Sequence, residues 1–281
     1  MTRRQVDEAL ACITMDIEPD YTQTSSSERR YGLFDTPGHF ERFEKLIARH
    51  GVRLTCFVVG HTLTDRPDEV RELARISAEF GPHSLSHDLA GQGSEREIRG
   101  GIDAFTDFFG YFPRGYRSAQ GRVTRGLLEM LESQGIVYDS SVIPSFRPGV
   151  YRNADKPTSP FRWRGLSLVE LPIGAMRGIR VPLALSYIKI MGRHPFALAQ
   201  GLLGRPQPLV FLLHPMDLTY DQEAYQGLGT PLRVAYSINR ARSWELLDWY
   251  LGSLREAGYR FAALGELYEL ALRSPLPEVA P

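Results

Sequence analysis

Residues 9–18 read ALACITMDIE, an apolar run that turns acidic at its C-terminal end. A short run of this kind reads as a buried strand carrying Asp16 and Glu18 at its edge, with Asp20 close behind. Working outward, Thr36 suits a helix cap and Pro37 a first helical position, with Phe40, Phe43, Ile47 and His50 along one face and Gly51 as the stop. VRLTCFVVG (52–60) is a second strand. Pro67 opens another helix, with Val70, Leu73, Ala74 and Ser77 to Phe80 on its inner face. Ser94 and Glu97 form a capping box before Ile98, Ile102, Phe105 and Phe109. Thr124 caps LLEMLESQG (127–135), and IVYDSSVI (136–143) follows as a strand. PLVFLLHP (208–215) is the strongest buried-strand signal in the chain. A long helix is expected from Ser237 to Ala257, then YRFAAL (259–264) and a last helix from Gly265. This β-α-β-α succession predicts one α/β domain, 1–281, with a parallel sheet or barrel. The Pro-, Gly- and Arg-rich stretch 144–206 reads as an insertion in it.

Composition narrows the function. The 281 residues are 43% hydrophobic, with 33 basic and 33 acidic side chains. That content is too apolar and too balanced for a disordered chain, and it lacks the basic excess of a nucleic-acid binder. No apolar run reaches the ~18–20 residues of a membrane span. The first residues, with Asp7 and Glu8 soon after two arginines, do not read as a secretory signal. Cys12 and Cys56 sit inside apolar runs and read as buried thiols. A cytoplasmic location is the expectation.

In parallel α/β folds, chemistry gathers at the C-terminal ends of strands. Several strand ends here carry reactive side chains: Asp16 and Glu18, His83 and His87, Arg117, Asp139 and His214. His83 and His87 are four apart, so a tight turn can aim both imidazoles at one divalent metal. A carboxylate from another strand end would complete a three-ligand, open, catalytic set. Asp16 and Glu18 are two apart on an extended segment and share a face. One can ligate while the other takes a proton from water. His214, at the mouth of an apolar strand, suits proton donation to a leaving group.

Five fragments in order resemble the motifs of the polysaccharide deacetylases with the NodB homology domain, carbohydrate esterase family 4. They are TMDIE (14–18), HSLSH (83–87), RSAQG (117–121), VYDSS (137–141) and FLLHP (211–215). RSAQG departs from the family pattern by Ala119, where proline is usual, and TMDIE by one residue between its acids. The resemblance implies a distorted (β/α) barrel and a metal-dependent hydrolase that removes an N-acetyl or N-formyl group from an amino sugar. It implies Asp16 as base, His214 as acid, Arg117 as the partner of the base and Asp139 as the aspartate that orients the catalytic histidine. Glu18, His83 and His87 become the metal ligands, with Asp20 competing for the place of Glu18. Leu213 and Tyr116 become pocket residues, and a backbone N–H near residue 117 becomes a donor to the oxyanion. The implied ion is a divalent metal: zinc, with cobalt or nickel as alternatives. The implied substrate is an N-acylated glycan or a lipid-linked or nucleotide-linked precursor. A small non-sugar amide hydrolase and a non-catalytic glycan-binding protein are the competing readings.

One further stretch is asymmetric. From Leu171 to Met216 there is no Asp or Glu, while Arg177, Arg180, Lys189, Arg193 and Arg205 are interleaved with apolar residues. This pattern suits either a lid packed on the core or peripheral contact with the inner face of a membrane.

Overall fold

The computed structural model describes residues 9–20, 29–88, 91, 93–219 and 230–281. Its centre is the opening stretch of the sequence: strand β1, Leu10–Ile17, is buried along its whole length. A strand with both faces covered reads as a continuous apolar run, which is why 9–17 shows no alternation. Helix α1, His39–His50, buries Phe43, Leu46 and Ile47, each contributing ~1.5–3 kcal/mol. It starts two residues later than Pro37 suggests, because Gly38 takes the left-handed conformation at its cap. Strand β2, Leu54–Val58, and helix α2, Pro67–Ile76, follow. Ser77 to Phe80 were expected on the inner face of α2 but lie in strand β3, Ser77–Pro82. The sequence passes from helix to strand here with only Ser77 at the boundary.

Helix α3, Glu95–Phe109, leads to β4, Gly115–Tyr116; helix α4, Arg125–Ser133, capped by Thr124, leads to β5, Tyr138–Asp139. The stretch 144–206 supplies β6, Phe161–Trp163, β7, Val169–Glu170, and helices α5, Leu185–Met191, and α6, Arg193–Leu203. Strands of two or three residues leave no period to read, so their presence was hidden. Strand β8, Leu209–Leu213, is fully buried. The single helix expected over 237–257 is two: Thr230–Ser237 and α7, Ser243–Glu256. Asn239 stands between them at φ +52°, a left-handed residue that no continuous α-helix accommodates. Strand β9, Arg260–Phe261, helix α8, Leu264–Ala271, and strand β10, Glu278–Val279, complete the chain.

One sheet runs β8-β1-β2-β3, all parallel, with β9 also on β1; the other runs β10-β6-β7-β5-β4. Between β3 and β4 the Arg117 N–H donates to Pro82 O, and near β8 the Gly174 N–H donates to Val210 O. Among the described residues these are isolated bonds and not ladders, so the parallel strands curve toward a barrel without a continuous hydrogen-bonded wall. The C-terminal ends of β1, β3, β4 and β8 therefore open on one cleft. Cys12 and Cys56 are free and buried.

Candidate metal and active site

Three donor atoms converge at the strand ends. Glu18, His83 and His87 each bring a ligand atom within 4.8 Å of the others. Glu18 Oε2 lies 2.7 Å from His87 Nε2 and 3.6 Å from His83 Nε2. His83 Nδ1 lies 2.8 Å from the Arg117 carbonyl oxygen, to which it donates as N–H, leaving the Nε2 lone pair toward the cleft. That is the tautomer a metal-ligating imidazole needs.

The turn that brings the two histidines together is built from several sides. Ser84 and His87 both have left-handed backbone, φ +64° and +61°, and Ser84 Oγ accepts the His87 N–H at 3.2 Å. The carboxylate of Glu97 accepts the Ser86 N–H at 2.9 Å and its hydroxyl at 2.6 Å. Glu97 is thus not the reciprocal half of a capping box. Ser94 caps α3 alone, and Glu97 is spent on the histidine turn. Gly101 lets that turn rest on α3: a Cβ there would stand 2.7 Å from the Ser84 carbonyl carbon.

The expected roles of the acids separate in space. Asp16 Oδ1 accepts from Arg117 Nη1 at 2.7 Å, while Oδ2 faces the cleft, 3.8 Å from His214 Nε2 and 3.9 Å from His83 Nε2. Arg117, 1% exposed, also donates to Thr14 Oγ1, Ser140 O and Ser140 Oγ, so its fork is fixed. Asp20 is turned away from the ligand cluster and accepts the Gly32 N–H. Of the two competing carboxylates, Glu18 is the one beside the histidines.

Three expectations are corrected, and the oxyanion donor expected near the 117–121 motif is neither the Arg117 nor the Ser118 N–H. Asp139 does not touch His214; the aspartate there is Asp217, whose Oδ2 lies 3.4 Å from His214 Nδ1 and accepts the His214 N–H at 3.0 Å. Asp139 is instead buried beside Glu170 and accepts from the Ser141 hydroxyl. Leu213 packs in the core, and Leu212 lines the cleft with His214, because alternate residues of a strand share a face. Tyr116 is 2% exposed in a core cluster with Ile98 and Leu128 and does not line the cleft. The Arg117 and Ser118 N–H groups are already spent on Pro82 O and Ser141 Oγ.

Sequence reading missed Asp217, although the signal existed: His214 and Asp217 flank Pro215 at the first turn of a short helix and form a capping box. It also missed Arg147, Tyr151, Tyr187 and Tyr236, which line the same cavity of about 270 Å³.

Burial disfavours the charged forms of Glu18, His87 and His214, and their mutual attraction and that of neighbouring carboxylates outweighs it. Burial would raise the Glu18 carboxyl, but His87, His83 and His214 hold it well below the usual carboxylate range. Burial would lower His87, but Glu18 raises it. His214 is pushed up to about 9 against burial by Asp217, Glu18 and Asp16. The result is an ionised carboxylate held beside two imidazoles, one oxygen and two nitrogens drawn together, a donor set that fits zinc and neighbouring first-row ions.

The family model described as polysaccharide deacetylase matches residues 5–138. No curated protein matches the chain in sequence. Among solved structures, a Pseudomonas aeruginosa PAO1 protein described as a probable polysaccharide deacetylase superposes with a TM-score of 0.61 at 15% identity, over 95% of this chain and 91% of that one. PuuE allantoinase does so at 0.60 and 13% identity, with the same coverage of both chains. Peptidoglycan deacetylase PdaC from Bacillus subtilis reaches 0.51 at 12% identity, covering 95% and 93%. These likenesses establish the α/β fold. Residues 5–138, which carry Asp16, Glu18, His83, His87 and Arg117, match the polysaccharide deacetylase family model.

Proposed function

We propose that this protein is a metal-dependent N-deacylase of amino sugars, releasing acetate or formate and leaving a free amine. The observation that carries the reading is the placing of Asp16 Oδ2 and His214 Nε2, 3.8 Å apart, beside the Glu18, His83 and His87 donors. Those three residues would hold a divalent ion, and such an ion supplies Lewis-acid polarisation of the acyl carbonyl and of water. Asp16, clamped on one oxygen by Arg117, takes a proton from the attacking water with the other. The C–N bond then breaks, and His214, held by Asp217 through Nδ1, gives its Nε2 proton to the departing nitrogen. Leu212 and Ile173 line the cleft and suit a small acyl methyl. Acetate release from N-acetylhexosamine substrates, abolished by chelation and restored by zinc, tests the reading. Ring opening of a small cyclic amide in place of acetate release would favour the second reading, a small-amide hydrolase on this fold.

The substrate we favour is a lipid-linked or nucleotide-linked glycan precursor in the cytoplasm, with the enzyme resting on the inner membrane face. Among the described residues no helix is long and apolar enough to cross a membrane. In the acid-free stretch, Leu185, Ile188 and Phe196 are core and Lys189 is buried, so that part acts as a packed wall. Leu198 and Leu202, 64% and 76% exposed on α6, and Ile179, 54% exposed, remain available for an anionic lipid surface, with the exposed Arg177 and Arg193 in the same stretch. Sedimentation with anionic vesicles at low salt, lost in the double substitution Leu198→Gln and Leu202→Gln, supports contact. Absence of sedimentation at low salt refutes it.

A further inference from the structure

The cleft holds two arginines that are used differently. Arg117 is buried, and its guanidinium is spent on Asp16, Thr14 and Ser140. Arg147 is half-buried and lines both the 270 Å³ cavity and an adjoining cavity of about 170 Å³, where Tyr187 and Tyr236 continue from one to the other. Among the described residues its guanidinium has no hydrogen bond and no ion pair. A semi-buried guanidinium with open donors is arranged to receive an anion.

The backbone beneath Arg147 is fixed. It sits on an antiparallel hairpin, Phe146–Arg147 against Tyr151–Arg152, directly across from Tyr151. The turn closes with the Val150 N–H donating to Arg147 O at 3.0 Å, with Gly149 at φ +75°, and the Asn153 N–H donating to Ser145 O at 2.9 Å ties its base. Tyr187 of α5 meets the Tyr151 hydroxyl, so Arg147 is flanked by phenols suited to sugar rings and hydroxyls. The other charges of the two cavities are engaged. Asp16 is paired with Arg117, Glu18 with the imidazoles, and Lys189 donates to Asp217 O.

We infer that Arg147 forms an acid subsite: the substrate carries a carboxylate or phosphate that pairs with this guanidinium while its N-acyl group lies at Asp16 and His214. The orientation rests on the deacylase reading, whereas the subsite itself stands on the residues of the wall. An acid-bearing amino sugar, either an amino-uronic acid or a sugar phosphate, is the substrate class this selects.

The test is calorimetric binding to the zinc-loaded enzyme of N-acetylglucosamine, its 1-phosphate and N-acetylglucosaminuronic acid, with acetate release measured in parallel. At least one acid-bearing sugar should bind about 10–100-fold more tightly than the neutral one, the worth of a charge-assisted hydrogen bond, and which one does so separates phosphate from carboxylate. Arg147→Gln should reduce that preference to within about twofold, and Arg147→Lys should keep part of it. Equal binding of all three sugars by the wild type overturns the subsite. So does a preference that survives Arg147→Gln, since the anion would then sit at the metal ligands. Acetate release without acid preference leaves the deacylase reading and removes the subsite. Acid preference without acetate release does the reverse.

Discussion

The floor of the cleft and its wall are built on opposite principles. On the floor, from β1, β3, β4 and β8, polar side chains are held by protein partners before any substrate arrives: Arg117 by Thr14, Asp16 and Ser140, His83 by a backbone carbonyl, His214 by Asp217. On the wall, from the 146–152 hairpin and α5, Arg147 lines the cavity, and among the described residues its guanidinium has no hydrogen bond or ion pair. Groups that meet developing charge gain from being fixed in advance, since no reorganisation is then needed during reaction. Groups that choose a ligand must keep donors open for it. The family match ends at residue 138, so most of the floor lies inside it and the wall lies outside. Asp16 and the candidate metal ligands lie in the first half of the chain, whereas His214, Asp217 and the wall lie in the second.

The largest expected effects break the floor. His83→Ala or His87→Ala should each lose most bound metal and essentially all turnover, because an open three-ligand site tolerates no deletion. Metal analysis and acetate release check this together, and full metal content in both variants would break the comparison. A smaller effect sharpens it. Asp217 raises the proton affinity of His214, so Asp217→Asn should move the alkaline limb of kcat/KM to lower pH by about one to two pH units, the worth of a charged hydrogen bond. An unmoved limb would show that Asp217 does not serve His214.

The smallest effect concerns the buried layer under the floor. Burial pushes Asp139 up to about 6 and, with the neighbouring carboxylate, pushes Glu170 well above its usual range. Both folded-state values lie above the unfolded ones. The stability they contribute is therefore present at low pH and lost as pH rises through about 6. Glu170→Gln should flatten the fall of Tm between about pH 5 and about pH 8, measured by thermal unfolding. A fall as steep as that of the wild type would mean that the pair does not share a proton.

The floor was legible in the sequence because strand ends write their chemistry in short, contiguous words: the acids after 9–15, the HSLSH turn, the histidine after Leu209–Leu213. Element type followed apolar runs and glycine stops such as Gly51 and Gly135. Asp217 was hidden because its role depends on a one-turn helix that folds it back onto the preceding histidine. The Leu212 and Leu213 pair was misassigned by taking adjacency for proximity, when the strand period puts Leu212 beside His214. Glu97 looked like a local cap and proved to be a long-range brace, a distinction spacing does not carry. The wall was illegible because its strands are two residues long and its arginine lines a cavity without belonging to a motif.

The central claim is that Glu18 ligates the metal and Asp16 is the base. Metal stoichiometry of purified Asp16→Asn and Glu18→Gln, measured alongside acetate release, tests it most directly. The account predicts about one zinc per chain in Asp16→Asn with turnover down about 10²–10⁴-fold, and loss of metal in Glu18→Gln. Metal retained in Glu18→Gln and lost in Asp16→Asn would contradict it.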